Sequence, residues 1–439
     1  MNTYKLLPLL VALSAALAAP VQAQSLVNLY DAARSFDASY QSAKSQYNAT
    51  LAKAEQARAS ILPTVGLAMS SSFVGLDSSS TAIKPNYNTQ SATLSASQPL
   101  YRPANRITYA QSLKQFELAQ AQLDVADQDL IVRVSQAYFD VMASQDSLTF
   151  VKAQKTAVAE QLEFAKRNFE VGTSTITDTR EAQARFDLVI AQEIAAENDL
   201  LVKKMALDQL VGKSNTQPKP LSLPLALPKL LPADVNTWVG QAEAAHPAVR
   251  QTKVALDVAT LETQKAQAGN RPTLDLTGSY GVAQNNGSAT SSAESRTNSA
   301  SIGLSFNLPL FAGYAIQNRI KETLALEDKA RTDLDATQRT VAQATRTAFF
   351  GVLSGQGQVK ALEAAEASSQ SALDANKLGY QVGVRINIDV LNSQSQLFDT
   401  KAKLAKARYD VLVGSLKLRQ ASGTLKADDL QSINSLLAK

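Results

Sequence analysis

The sequence predicts an α+β protein made of very long helices and a few amphipathic strands, arranged as two copies of one structural unit. A turn motif occurs twice, as FEVGTSTITDTREAQARF at 169–186 and as YQVGVRINIDVLNSQSQL at 380–397. The stretch 104–169 contains neither proline nor glycine, which predicts one helix of exceptional length. Four other segments alternate apolar and polar residues with a period of two, which predicts strands with one apolar face.

The first 23 residues have the features of a secretory signal peptide. Lys5 supplies the positive charge, LLPLLVALSAALAA at 6–19 is the short apolar segment, and the sequence VQA at 21–23 is the small-residue cleavage pattern before Gln24. No other segment reaches the ~18 consecutive apolar residues that a membrane-spanning helix requires. We therefore expect an exported mature chain in which any membrane-spanning segment is a β-strand.

The composition argues against several classes of function. The chain has no cysteine, which excludes disulfides, thiolate metal sites, cysteine nucleophiles and a lipidated N-terminal cysteine. His246 is the only histidine in the sequence, so neither a histidine metal centre nor a Ser–His triad is expected. The net charge of +4 is spread along the chain without a basic run, so no nucleic-acid surface is predicted. We expect no enzyme and no cofactor.

The repeat predicts the order of elements in each half: helix, strand, loop, strand, very long helix, turn and helix. The first copy, 24–212, is expected to contain a helix at 24–61, strands at 64–75 and 89–101, a long helix at 103–170 and a helix at 175–211. The second copy, 235–423, is expected to contain a helix at 235–269, strands at 273–284 and 298–311, a long helix at 314–380 and a helix at 387–421. Five prolines separate the copies, so 213–234 is predicted as a linker, and 424–439 as a tail.

A seven-residue repeat runs along the first long helix, and all but one of its positions are apolar. The positions are Phe116, Leu123, Leu130, Ala137, Ser144, Val151, Val158 and Ala165. A sustained heptad pattern predicts helices that pack along their length as coiled coils.

Each repeated turn combines the signals of a helix end and a helix start. Gly172 and Gly383 suit the left-handed backbone conformation that terminates helices. Thr175 and Asn387 are the candidate N-caps of the helices that follow. We expect the two turns to lie at one tip of the helical region.

The four predicted strands have an apolar face opposite a face of Ser, Thr, Gly, Gln and Asn. Each has about the 9–11 residues that a tilted membrane strand requires, and polar loops at 77–88 and 284–297 connect them in pairs. Four strands do not close a barrel, and open edges in hydrocarbon leave backbone groups unpaired. Two copies of the chain would supply eight strands, three copies twelve and four copies sixteen. The polar faces favour a water-filled pore, and hence three or more copies.

The order and spacing of these motifs resemble the TolC-like outer-membrane factors, the exit ducts of efflux pumps and type I secretion systems in Gram-negative bacteria. The resemblance rests on ILPT at 61–64, on PLY at 99–101 and PLF at 309–311, and on the two repeated turns. It implies a homotrimer with a twelve-stranded outer-membrane β-barrel, four strands per chain, continued by an α-helical coiled-coil barrel. It also implies that 213–234 and 424–439 lie in an equatorial region.

The resemblance further implies the location and the partners of the protein. The barrel would sit in outer-membrane lipid and the helices would extend into the periplasm, where their tip is closed. A periplasmic adaptor (membrane fusion) protein and an inner-membrane ABC, RND or MFS transporter would dock there and open the tip. The missing lipobox cysteine implies that the chain is not lipidated.

The family's gate maps onto four residues of this sequence. The resemblance implies that Asp178 accepts a hydrogen bond from Tyr380 and pairs with Arg385, which also reaches the backbone of Thr177. The first copy has Ser174 where the second has Arg385, so only one copy supplies the cation. The alternative is that Asp178 only starts a helix, Arg385 is a solvated turn charge and Tyr380 packs the last helical turn.

The resemblance also implies an acidic ring in the lumen. Asp389 occupies its first position, and Asn392 stands where the fullest version has a second Asp. This departure predicts a weaker block by cations. The alternative is that Asp389 only favours the helix start.

Functions of four different classes are candidates for this sequence. A passive exit channel accounts for all of these features. A periplasmic coiled-coil adaptor or scaffold, the alternative, would have no amphipathic membrane strands. An outer-membrane enzyme would need a catalytic cluster, and a simple porin would carry all its strands in one chain without long helices.

Overall fold

The structure is a computed structural model that describes residues 24–75, 86–222, 227–228, 230–288 and 291–438. The predicted signal peptide at 1–23 lies outside the described residues, as do most of the loop predicted at 77–88 and part of the linker. The chain divides into two compact units. One comprises Met1–Ala43, Leu123–Pro247 and Arg339–Lys439, and the other comprises Lys44–Gln122 and Ala248–Gln338.

The second unit contains a four-stranded antiparallel sheet in the order β1-β2-β3-β4. The strands are β1 (Thr64–Gly75), β2 (Asn86–Tyr101), β3 (Thr273–Ser288) and β4 (Ser291–Asn307). Leu67 pairs with Leu94, Leu94 with Tyr280 and Tyr280 with Ala300, so the apolar faces of all four strands lie on one side of the sheet. On the other side, hydroxyl pairs such as Ser70–Ser91 and Ser279–Ser301 join neighbouring strands at 2.8 and 2.9 Å.

The β3–β4 hairpin is longer than the sequence predicts. The predicted loop at 284–297 is largely strand, because the backbone ladder continues through pairs such as Gln284–Arg296 and Asn286–Glu294. Ladder hydrogen bonds are made by the backbone and do not require apolar side chains, so the polarity of this segment does not end the strands. At the other end β4 stops at Asn307 instead of 311, two residues before Pro309, whereas β2 continues through the equivalent Pro99 to Tyr101.

The helices predicted at 24–61 and 235–269, which begin the two copies, are each split into a pair of helices. The first copy has α1 (Leu26–Phe36) and α2 (Ala38–Arg58), and the second has α5 (Val235–Ala245) and α6 (Pro247–Ala268). The break at Asp37 is stabilised by its carboxylate, which accepts from the backbone N–H of Tyr40 at 2.8 Å and binds the guanidinium of Arg133. The break at His246 follows from Pro247, whose ring is incompatible with a helix interior but suits a first helical position.

The long helices are α3 (Pro103–Glu170), α4 (Ile176–Val211), α7 (Ala315–Gln381) and α8 (Asn387–Ala421), and a short α9 (Asp429–Asn434) follows. With 68 residues, α3 is roughly 100 Å long. In the first unit, heptad positions Leu130, Val158 and Ala165 are buried, and buried Ser144 donates a hydrogen bond to Asp199 at 2.5 Å. Within the described residues, no helix has an apolar stretch of the length needed to cross a membrane.

Residues 217–222 of the linker pair with both ends of the described chain. Gln24 donates its backbone N–H to Gln217 at 2.7 Å, and Ser222 donates to Leu436 at 2.9 Å. The buried hydroxyl of Tyr138 on α3 donates to the carbonyl of Lys219 at 2.8 Å. These bonds attach the linker to the core of the first unit.

Candidate functional site

The two repeated turns have the same backbone geometry. Gly172 and Gly383 adopt φ angles of +77° and +76°, a region that residues with a Cβ rarely occupy. In the first turn the N–H of Thr173 bonds the carbonyl of Asn168 at 2.8 Å, and the N–H of Gly172 bonds that of Phe169 at 3.0 Å. The second turn has the equivalent bonds. Both turns therefore end a long helix with a Schellman motif and lead directly into the next helix.

The first turn caps its own helix. The hydroxyl of Thr175 accepts the backbone N–H of Asp178 at 3.2 Å, and the Asp178 carboxylate accepts the N–H of Thr175 at 3.1 Å, which forms a capping box. The hydroxyls of Ser174 and Thr175 also donate to this carboxylate, at 2.9 and 2.8 Å. Partial burial alone would raise the pKa of Asp178, but these hydrogen bonds outweigh it and hold the pKa below its ordinary value. Asp178 is therefore an anion that organises its own turn.

The second turn is built differently. The N-cap is Ile386, which provides no side-chain hydrogen bond, and Asn387 is the first residue of α8. The expectation that Asn387 caps α8 is therefore wrong. Its side chain is fully buried and forms hydrogen bonds with the first copy: Nδ2 donates to the backbone carbonyl of Asp178 at 3.1 Å, and Oδ1 accepts from Nε2 of Gln161 at 2.5 Å.

Arg385 lies on the surface of the second turn. Its guanidinium is 3.7 Å from the carboxylate of Asp389, one helical turn further along the chain. Its side-chain stem packs against Gly379, where an added Cβ would lie 2.7 Å from Cγ of Arg385. Because both charged groups are partly exposed, this ion pair contributes little stability within the single chain.

Tyr380 occupies an apolar pocket at the end of α7. Its ring meets that of Phe164 edge-on at 5.7 Å between centroids and packs against the cluster of Leu373, Val390 and Leu397. Its hydroxyl is buried, and among the described residues it has no hydrogen-bond partner. A buried hydroxyl without a partner is unfavourable, so it favours any rearrangement that brings an acceptor within reach.

The structure therefore places the predicted gate residues at the two turns, where the two charged ones bond within their own turn. Asp178 bonds to Thr175 and Ser174, and Arg385 pairs with Asp389, whereas Thr177 is exposed at the start of α4. The Asp178–Tyr380 and Asp178–Arg385 pairs remain predictions for the assembled protein. Asn392, the predicted substitute in the acidic ring, accepts a hydrogen bond from Arg185 at 2.9 Å.

Sequence reasoning missed the role of Asn387 and Gln161. One local signal was present: in the aligned turns Asn387 stands opposite Ile176, one position after the capping Thr175. For the described residues, no group of three or more metal-ligating side chains is arranged to hold a metal ion.

Comparison with known proteins identifies the family. The model of the outer membrane efflux protein family matches residues 29–213 and 238–424, one match in each copy of the repeat. Outer membrane protein TolC of Vibrio cholerae is 32% identical over 432 residues, which is 98% of this chain and 98% of that protein. Alkaline protease secretion protein AprF of Pseudomonas aeruginosa is 30% identical over 350 residues, 79% of this chain and 72% of that protein.

The solved structures agree on the fold. The crystal structure of outer membrane protein VceC of Vibrio cholerae superposes with a TM-score of 0.77 at 18% identity, over 91% of this chain and 96% of that chain. The resemblance inferred from the repeated motifs, and the predicted fold of long helices with four strands per chain, are confirmed. The chain belongs to the outer membrane efflux protein family.

Proposed function

We propose that three copies of this chain form an outer-membrane exit duct that serves efflux pumps and type I secretion systems. The observation that carries the proposal is an incomplete sheet in a chain that matches TolC over nearly its whole length. Among the residues that the structure describes, strands β1 and β4 each pair with one neighbour and leave their other edge open. Open edges are not tolerated in hydrocarbon, so copies of the chain must close the sheet, with twelve strands for three copies.

The two faces of the sheet support this assignment. Residues of the apolar face are strongly exposed in the single chain; Met69 is 74% exposed and Ile302 82% exposed. Lipid would cover this face, while the hydroxyl-rich face would line a water-filled lumen. A coiled-coil adaptor or scaffold would gain nothing from such a sheet, which argues against that alternative.

The two tip turns form the gate of the duct in this proposal. The unpaired hydroxyl of Tyr380 and the half-exposed guanidinium of Arg385 are the groups that bond Asp178 and the Thr177 backbone in the closed trimer. Docking of a periplasmic adaptor and an inner-membrane ABC, RND or MFS transporter breaks these bonds and opens the tip. Asp389 contributes the acidic ring, which is weakened by the neutral Asn392.

The chain is a passive, unlipidated channel in this proposal, and its energy source is the partner transporter. The chain has no cysteine for lipid attachment, and its carboxylates are distributed along the helices in ion pairs such as Lys155–Glu193. The presence of a secretion protein among the relatives supports export of polypeptides in addition to efflux of small molecules.

The test is reconstitution of the full-length mature protein in planar lipid bilayers, with its oligomeric state measured in detergent. We expect a trimer that conducts ions in discrete steps. A monodisperse monomer without conductance would overturn the proposal. In cells, deletion of the protein is expected to cause loss of a secreted polypeptide or hypersensitivity to drugs and detergents, and a deletion strain with neither phenotype contradicts it.

A further inference from the structure

The two copies of the tip turn differ in the burial of the first residue of the helix that follows. Ile176 and Asn387 are both the first residue of the helix that follows the turn, four residues after the glycine. Ile176 is 48% exposed and lies beside a capping box, whereas Asn387 is 0% exposed. In the first copy, the backbone N–H groups at the helix start are bonded by side chains of the same turn. In the second copy, the Asn387 side chain bonds to the first copy instead.

The contacts of Asn387 connect three helices. Gln161 belongs to α3 and Asp178 to α4, and both meet the amide of Asn387 at the start of α8. Leu391, one turn further along α8, is fully buried in the same apolar cluster as Leu162 and Ala182. The amide of Asn387 is fully buried beside this cluster in sequence, and its hydrogen bonds to Gln161 and Asp178 compensate for the loss of contact with water.

We propose that Asn387 is a positioning residue that locks the second tip turn onto the helices of the first copy. This inference rests on the proposed gate but adds a second, uncharged element to it. An opening movement that carries the start of α8 away from α3 and α4 separates Asn387 from both partners. Buried amides that lose their partners are unfavourable, so the lock biases the tip toward the closed state.

The lock differs from the charged gate in its response to salt. Arg385 and Asp389 are partly exposed, so pairs made by these groups are screened as ionic strength rises. The bonds of Asn387 are neutral and buried, so their contribution should be nearly independent of salt. This difference allows the two elements of the gate to be separated by experiment.

The test measures the conductance and open probability of full-length trimers in planar bilayers. Asn387→Leu keeps the approximate size of the side chain and removes both hydrogen bonds. We expect the ratio of open to closed states to rise about tenfold, by the same factor at low and at high salt. Gln161→Leu should raise it less, because Asp178 still accepts from Asn387.

In the double variant Gln161→Leu/Asn387→Leu, the ratio of open to closed states should rise by less than the combined effect of the single variants. Each single variant leaves the other side chain without its partner, whereas the double variant replaces both by an apolar contact. Asn376→Leu is the matched control. Asn376 donates to Ser393 at 2.5 Å within the α7–α8 pair of one copy, so its loss should leave the open probability unchanged.

The outcomes distinguish this inference from the proposed function. If Asn387→Leu and Gln161→Leu both conduct like the wild type while Arg385→Ser conducts more, the lock is wrong and the duct stands. If the Asn387→Leu chain does not assemble, the Gln161→Leu variant is the test of the lock. Conductance of Gln161→Leu equal to that of the wild type would then overturn the lock. If the wild-type protein forms no channel, the proposed function itself is wrong.

Discussion

The guanidinium of Arg102 donates two hydrogen bonds to the carboxylate of Asp275, at 2.7 Å from Nε and 2.6 Å from Nη2. Arg102 directly follows β2 of the first copy, and Asp275 lies on β3 of the second, so this pair joins the two copies where the sheet changes from one to the other. Asp275 is nearly buried. Bidentate geometry and partial burial make this pair stronger than the ordinary surface ion pairs of the long helices.

Replacement of Arg102 should therefore lower the free energy of unfolding of the protein. Arg102→Met leaves the carboxylate of Asp275 buried without its cation, and we expect a loss of ~1–3 kcal/mol in the free energy of unfolding. Thermal unfolding of the detergent-solubilised protein measures the effect. The control is Arg58→Met, since Arg58 lies 3.6 Å from Glu55 in an exposed pair. Equal melting temperatures for the two variants would contradict the assignment.

Replacement of the proposed gate residues Arg385 and Tyr380 is expected to change the single-channel conductance. Arg385→Ser copies the residue that the first turn has at the equivalent position, and Tyr380→Phe removes the unpaired hydroxyl. Each should raise single-channel conductance, because the closed tip loses bonds that are individually worth ~0.5–3 kcal/mol.

The control for this prediction is Arg331→Ser, which removes an exposed arginine paired with Asp328 on α7. It should conduct like the wild type. Wild-type conductance in the combined Tyr380→Phe and Arg385→Ser variant would rule out the gate assignment of both residues.

Changes in the charge of the proposed acidic ring are expected to alter the inhibition of conductance by cations. Asp389→Asn should weaken inhibition by multivalent cations, because three copies then lose three negative charges at the lumen. Asn392→Asp should strengthen inhibition by restoring a second carboxylate per chain. Conductance measured across a series of cation concentrations gives both effects. Asp399→Asn, on the exposed side of α8 beside Lys403, is the control, and identical inhibition of all three variants would remove Asp389 from the ring.

The pair of Asp37 and Arg133 is expected to make the stability of the protein depend on pH. The pKa of Asp37 lies below its ordinary value, chiefly because Arg133 donates hydrogen bonds to the carboxylate. The unfolded chain therefore takes up this proton at a higher pH than the folded chain does. The stabilisation is complete above the unfolded pKa of ~3.9 and is lost as the pH falls through the lower folded value.

The variant Asp37→Asn should accordingly lose less stability than the wild type between about pH 5 and pH 2. Denaturant unfolding at a series of pH values, followed by circular dichroism, measures this slope. The matched control is Asp31→Asn on α1, the helix that ends just before Asp37; the exposed side chain of Asp31 lies outside the pair. Parallel pH profiles for Asp37→Asn and the wild type would show that the pair does not control acid stability.

Local signals in the sequence accounted for the long helices and their turns. The helix predicted at 103–170 spans Pro103–Glu170, and the one predicted at 387–421 spans Asn387–Ala421. A proline at the first helical position and a glycine after the last turn act within a few residues, so no knowledge of the tertiary structure is needed. The strands also followed from alternation, but their polar ends did not, because ladder bonds are made by the backbone.

Periodicity and residues with special backbone preferences were sufficient to predict the duplication, the long helices between their terminators and the four strands with one apolar face. The partners of the polar side chains became known only from the folded chain. Asn387 bonds a carbonyl 209 residues away, and Asp37 breaks a helix beside an arginine 96 residues away. A buried amide or carboxylate is satisfied by whichever group the fold brings within ~3 Å, and that proximity is not encoded locally.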